Sequence, residues 1–223
     1  MPDLGPVFLS LHLAAVTTAI LLVIGVPLAY WLATTQARVK PVVEAVTALP
    51  LVLPPTVIGF YLLILMNPSA PLGAAWVSLT GGTLSFSFSG LVFASAIYSL
   101  PFMVQPLQSA FEAVGRGPME AAATLRASRL DAIRNVLLPQ SARGILTACV
   151  LTFAHTIGEF GVVLMVGGNI PERTRVISIA IYEHVESVEY AEAHILSAGL
   201  LVFSFVTLVG VYALNRSYRL RVS

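Results

Sequence analysis

Five apolar runs, each about 17 residues or longer, constrain this chain more than any other feature. They cover residues 7–33, 41–66, 88–107, 142–166 and 193–214, and past Arg143 at the entry of the fourth they hold no lysine or arginine. A bilayer core of about 30 Å is crossed by roughly 20 residues of helix, so each run can supply one span. In lipid every backbone N–H and C=O must be bonded within the protein, which leaves helices or a closed barrel. The alternating pattern of a membrane barrel is absent. The expected fold is therefore all-α and integral to a membrane, with about five transmembrane helices in a single domain over residues 1–223. Composition agrees, with 57% hydrophobic and 10% charged residues, against about 25% charged in an average soluble domain.

The loops set the orientation, because lysine and arginine in short loops stay on the cytoplasmic side. Arg38 and Lys40 follow the first run, Arg116, Arg126, Arg129, Arg134 and Arg143 follow the third, and Arg216, Arg219 and Arg221 follow the fifth. These segments alternate onto one face and hold ten of the twelve basic residues; the other face has Arg173 and Arg175. The N-terminus is expected outside and the C-terminus in the cytoplasm. Asp3, with no basic residue before the first run, argues for a retained span over a cleaved secretory signal. A net charge of +1 gives no reason to expect a nucleic acid partner. Cys149 is the one cysteine, which excludes an internal disulfide framework and a cysteine metal cluster.

The second run contains "LPLVLPP", where Pro50, Pro54 and Pro55 each remove a backbone donor and crowd the preceding turn. A kinked or broken helix is expected there, and such breaks are tolerated at membrane depth where backbone packs on protein or lines a cavity. Residues 174–193 are too short in apolar length to cross. They read as an external or re-entrant helix whose Glu183, Glu186, Glu189 and Glu192 make one solvated acidic side.

Between the third and fourth runs lies a polar, arginine-rich stretch, "EAAATLRASRLDAIRNVLLP". Glu120 to Leu125 reads as a short helix, and a second helix starts at Ser128, where "SRLD" has the spacing of a capping box. Leu130, Ile133 and Leu137 recur at helical spacing, so this helix should lie against the cytoplasmic span ends until Pro139 stops it. Glu120, Ala121 and Ala122, three residues, Arg126, nine residues, then Val136, Leu138 and Pro139 resemble the cytoplasmic signature of ABC importer permeases. The resemblance implies the type I ABC importer permease fold. It makes residues 108–141 the cytoplasmic coupling loop, whose coupling helix sits in a groove of an ATPase subunit. In that family the position of Arg126 is glycine; a left-handed turn there costs a non-glycine residue about 1–2 kcal/mol. "LPLVLPPTVIGFYLL", "GEFG" (158–161) and "GNIPERTR" (168–175) narrow the resemblance to permeases of molybdate and tungstate importers, with sulfate permeases as close relatives.

An importer needs energy, yet no G-x-x-x-x-G-K-[ST] occurs and Lys40, the single lysine, follows "QARV". This chain is expected to be a non-catalytic subunit that binds no cofactor or metal itself, with ATP and magnesium on a separate ATPase. Past the first two residues of each run, the acids and histidines inside are His12, Glu44, His155 and Glu159, so a dianion finds no arginine there to grip it. Weak, transient contact is expected, with selection left to an extracytoplasmic binding protein. Glu159 is the leading gate candidate, since an intramembrane carboxylate is costly without a role. His155, four residues earlier, is its natural partner for fixing one helix on another; Gly158 and Gly161 flank the acid and permit close packing.

The expectation is thus the membrane subunit of an ATP-driven importer for molybdate, tungstate or both, in a bacterial or archaeal inner membrane, working as a homodimer over an ATPase dimer. Glu120, Ala121, Ala122, Leu125, Arg126, Leu138 and Pro139 are the coupling candidates. Pro50, Pro54, Pro55, His155, Gly158, Glu159 and Gly161 are the pathway candidates. A sulfate or other oxyanion permease is the alternative within the class. A secondary transporter would commonly show inverted repeats and an ion-coupling site, and a hydrolase using His194 and Ser197 lacks an orienting acid.

Overall fold

The computed structural model describes residues 3–219, with side chains through Ala213. Every regular element among them is a helix. Three helices are long and apolar enough to cross a membrane unbroken, and two further pairs, each sharply bent, bring the possible spans to five.

The first span is α1 (Gly5–Thr34). Its Pro6 sits in the first turn, where a missing N–H costs nothing. The second apolar run breaks as its prolines require. Helix α2 (Lys40–Ala48) passes into a 3₁₀ turn (Leu49–Leu51), and α3 (Pro55–Leu65) leaves at 108° to it. Pro55 forbids the helical conformation to the residue before it, so Pro54 is extended at ψ 137° and the chain restarts with Pro55 in the first turn of α3. Short α4 (Pro71–Thr80) ends on Gly81 in the left-handed region at φ 74°.

Helix α5 (Phe88–Val114) is capped by Ser87, whose hydroxyl accepts from the Gly90 amide at 3.1 Å. It runs seven residues past the expected end of its span, so the following loop begins at Gly115 rather than at 108. After α6 (Gly117–Thr124), α7 (Arg129–Ala132), a π-helical stretch (Ile133–Leu137) and α8 (Leu138–Gln140) form one rod. Pro139 does not stop this rod, which turns only at Ser141. The proline has no N–H for the carbonyl four residues back, and the widened π turn before it absorbs the mismatch. The rod then meets α9 (Ala142–Gly158) at 72°.

The fourth apolar run is not one helix to Val166. It stops at Gly158, takes an extended residue at Glu159 (φ −69°, ψ 137°), and resumes as α10 (Gly161–Gly167). The external helix is α11 (Ile177–Glu186), joined by a tight turn with Val188 at φ 63° to α12 (Tyr190–Arg219). The side chains of Arg216 and Arg219, and Arg221 entirely, lie outside the described residues.

Helices α1, α5 and α9 pack side by side and carry the main core, in which Leu32, Met103, Val104 and Leu107 are fully buried. Gly144 lets α9 approach α5, since a Cβ there would lie 2.1 Å from the Ala110 Cβ. A second core joins α3 to α10 through Ile58, Leu62, Val162 and Val166. The two broken spans therefore pack on each other. A Cβ on Gly161 would come within 2.7 Å of the Pro55 Cβ, so one break touches the other.

Candidate functional site

Two groups of residues stand out, one in the helix pair between α5 and α9 and one where the broken spans meet. In the first, Gly115, at φ 71°, ends α5 and lets the chain turn into α6. Glu120 and Ala121 are exposed on α6, whereas Ala122 is buried. The end of α6 is a complete Schellman motif: the Arg126 amide donates to the Ala123 carbonyl at 3.0 Å and the Ala127 amide to the Ala122 carbonyl at 3.1 Å. Arg126 occupies the left-handed position of that motif at φ 62°. The turn thus has the form a glycine would favour, built with an arginine. Among the described residues the Arg126 side chain has no ion pair or hydrogen bond.

Ser128 caps α7 as its spacing predicts, accepting from the Asp131 amide at 3.2 Å. Asp131 does not complete the reciprocal box; its carboxylate accepts from the Asn135 side-chain amide instead. Ile133, Leu137 and Leu138 pack into the core shared by α1 and α5. Leu130 does not join them, being 57% exposed in the first turn, close in sequence to Leu125 at 83%. Two bare leucines and unpaired Arg126 at the tip of a helix pair that is firmly seated by its other face are suited to a partner surface. Pro139 is exposed on the rod.

In the second group, Glu159 lies at the break of the fourth run and is 4% exposed. One carboxyl oxygen accepts from the Ser95 hydroxyl of α5 at 3.1 Å, while the other, Oε1, has no hydrogen-bond partner among the described residues. Its main-chain carbonyl accepts from the Ser178 hydroxyl of α11. His155 does not pair with Glu159. The helix ends between them, so the four-residue register that would align them is lost at the extended Glu159. His155 Nδ1 instead meets the Ser99 hydroxyl at 3.0 Å, and its ring stacks on Phe102 at 3.8 Å between centroids. Ser99 also bonds the Thr156 hydroxyl at 3.0 Å. Both residues fix α9 against α5, each through its own serine.

Pro50 is buried in the 3₁₀ turn, and Pro54 and Pro55 form the elbow against which Gly161 packs. No side-chain atom lies near Gly158 on the side a Cβ would take. The structure therefore gathers Pro55, His155, Glu159 and Gly161 around one seam, and leaves the Glu120–Arg126 group in the separate helix pair. In this conformation Ser99 and Thr156 bond each other across the seam, Ser95 bonds Glu159, and the buried Thr152 hydroxyl has no partner among the described residues. Among the described residues no three His, Cys, Asp or Glu side chains converge as a metal would require.

Sequence reasoning passed over Ser95 and Ser99. They sit four apart in the largely apolar stretch 90–104 of α5, and Thr152 and Thr156 of α9 have the same spacing. Paired i, i+4 hydroxyls in two runs are a readable sign of a polar helix seam. Glu44, a residue expected to snorkel or pair at the cytoplasmic end of its run, is paired, with a partner in α5 that spacing did not supply. The Gln108 side-chain amide donates to Glu44 at 2.9 Å and to Glu112 at 3.0 Å, and Lys40 lies 3.6 Å and 3.7 Å from the same two carboxylates. This network ties α2, the near half of the broken second span, to the last turns of α5, directly before the helix pair. The acidic side of α11 is also more than a solvated face. Glu183 pairs with Arg175 at 3.2 Å, Tyr182 donates to Glu186, and His184 meets Glu189 at 2.8 Å. His12 stacks on Phe88 at 4.8 Å.

Comparison with known proteins places this architecture. Residues 25–220 match the family described as "Binding-protein-dependent transport system inner membrane component". The chain is 55% identical over 214 residues to the molybdenum transport system permease protein ModB of Azotobacter vinelandii, covering 96% of this chain and 95% of that protein. In fold it is similar to an inward-facing MetNI methionine ABC transporter, with a TM-score of 0.71 over 95% of this chain and 94% of the other at 17% identity. It is also similar to a bacterial alginate ABC transporter solved in complex with an alginate pentasaccharide-bound periplasmic protein, with a TM-score of 0.74 over 96% and 78% at 16% identity.

Proposed function

The chain belongs to the inner membrane components of binding-protein-dependent transport systems, and from that premise we propose that it is the permease of an ATP-driven importer of molybdate, tungstate or both. The observation that carries the cargo is the 55% identity, over nearly the full length of both chains, to a molybdenum transport permease. The geometry supports the mechanism. The rod α7–α8 is continuous with α9 through the 72° bend, and α9 ends at the break that touches the other broken span. A push on the helix pair is thereby delivered to the seam.

In this reading the helix pair lies in the cytoplasm, with the N-terminus outside, and sits in a groove of a nucleotide-hydrolysing subunit. Leu125, Arg126 and Leu130 meet that subunit, and Ala121 permits close approach. Two copies of the chain form the pathway between them over two ATPases, because one bundle of this size gives only one wall. Nucleotide binding below favours the outward-open state, in which an external binding protein delivers the anion. The seam opens with it, and the Ser95, Ser99 and Thr156 hydroxyls exchange their present bonds to Glu159, to His155 and to one another for transient ones to the oxyanion, joined by the Thr152 hydroxyl, which has no partner among the described residues. Hydroxyls without an inserted arginine let a dianion pass instead of trapping it. The setting is the inner membrane of a bacterial or archaeal cell.

Uptake of labelled molybdate into proteoliposomes holding the chain, its ATPase and the binding protein tests the reading. Competition by tungstate but not by sulfate is the expected result; dominant competition by sulfate would reassign the cargo.

A further inference from the structure

A cavity of about 400 Å³ lies between the end of α1 and the helix pair, lined among others by Tyr30, Thr34, Arg116, Met119, Glu120 and Arg129. We propose that it is a binding site for the phosphate-bearing headgroup of an anionic phospholipid. Three observations converge on that ligand.

The first is charge. Arg116 and Arg129 are exposed, and neither has an ion pair or a side-chain hydrogen bond among the described residues. With Glu120 at the same cavity the lining keeps one net positive charge. An arginine fork matches phosphate oxygens two at a time, and two such forks open on one space. The Tyr30 hydroxyl, also without a hydrogen-bond partner among the described residues, adds a neutral donor. The second is depth. Tyr30 and Trp31 occupy the last turn of the 30-residue span α1, with Trp31 37% exposed. Tyrosine and tryptophan at the end of a span mark the level of the headgroups. The apolar flank of α1 exposes Val23 and Ile24 towards the middle of the span, at 74% and 53%, so acyl chains have a surface to follow. The third is the backbone. Helix α6 (Gly117–Thr124) starts at the cavity with Arg116 as its N-cap, and no side chain caps its first turn; Pro118 has no N–H and the Glu120 amide bonds the Arg116 carbonyl, which leaves the Gly117 and Met119 amides and the positive end of the helix for an acceptor.

A free tetrahedral oxyanion shares this chemistry, but the aromatic pair at headgroup level favours the lipid source. Leu125 and Arg126 are not among its lining residues, and the site does not depend on which anion is carried. A bound headgroup bridges α1 to the first turn of α6 and α7, and so sets how firmly the helix pair is seated.

The test uses the full chain in nanodiscs of equal phosphatidylglycerol and phosphatidylethanolamine, with retained lipid weighed by native mass spectrometry. The wild type is expected to retain phosphatidylglycerol. Arg116→Gln with Arg129→Gln is expected to lower that retention roughly tenfold or more, as loss of two interfacial arginines implies. The charge-conserving pair Arg116→Lys with Arg129→Lys should keep most of it, and Arg134→Gln, outside the cavity, should change nothing. Unaltered retention in the Gln pair would overturn the proposal, as would an equal loss in the Arg134→Gln control. Displacement of the lipid by millimolar inorganic phosphate would reassign the cavity to a free oxyanion.

Discussion

Arg126→Gly should make the helix-pair turn more stable while weakening the subunit contact proposed for the pair. Arg126 holds φ 62° at the left-handed position of the Schellman motif. A non-glycine residue gives up about 1–2 kcal/mol there, and glycine gives back roughly 0.5–1 kcal/mol through its larger unfolded freedom. The balance is a stabilisation of about 0.5–1 kcal/mol, equivalent to a two- to fivefold change in the opening equilibrium of the turn. The Ala127 amide reports it directly, because its bond to the Ala122 carbonyl at 3.1 Å exists only while the motif is closed. Hydrogen–deuterium exchange at Ala127 should slow by that factor in Arg126→Gly. It should slow less in Arg126→Asn, which tolerates the left-handed region, and quicken in Arg126→Val, where a β-branched residue is strained. Both Gly and Asn variants should bind the ATPase less tightly than wild type, since the arginine has no partner among the described residues. Exchange that is unchanged or faster in the glycine variant would refute the strain argument.

Other substitutions probe the seam. Gly161→Ala puts a methyl 2.7 Å from the Pro55 Cβ, so the two breaks must part; uptake should fall while the ATPase still copurifies. Glu159→Gln keeps an acceptor for Ser95 and should cost less than about 1 kcal/mol, whereas Glu159→Leu strands the serine hydroxyl at a cost of roughly 1–3 kcal/mol. Thermal unfolding in detergent distinguishes them, and loss of uptake in Glu159→Gln at unchanged stability would show that the carboxyl does more than accept that bond. The Lys40, Glu44 and Glu112 network is half-exposed, so a Lys40→Met, Glu112→Gln double-mutant cycle should yield a coupling of about 0.2–1 kcal/mol that fades in high salt.

Features governed by local chemistry were legible in the sequence. Apolar length announced the spans, the prolines of "LPLVLPP" announced the 108° break, and Ser128 announced its cap. The break at Glu159 was not legible in the same way. "GEFG" contains no proline, and the interruption is held by side chains from α5 and α11, 64 and 19 residues away in the chain. The partners of His155 and Glu44 were hidden for the same reason, since each is chosen by how helices pack and not by spacing along one helix. The π-helical stretch escaped because a proline can be read from sequence, whereas the manner in which a helix accommodates it depends on what anchors both ends.

The central claim is that this chain is a conduit without its own energy source, moved through the helix pair. ATP hydrolysis and molybdate uptake measured together in proteoliposomes test it most directly, with Ala121→Trp against wild type. Ala121 is exposed on α6, so the bulky residue should leave the fold intact, prevent close docking, and abolish uptake together with hydrolysis stimulated by the binding protein. Undiminished uptake by Ala121→Trp, or uptake by the chain with no ATPase present, would contradict the account.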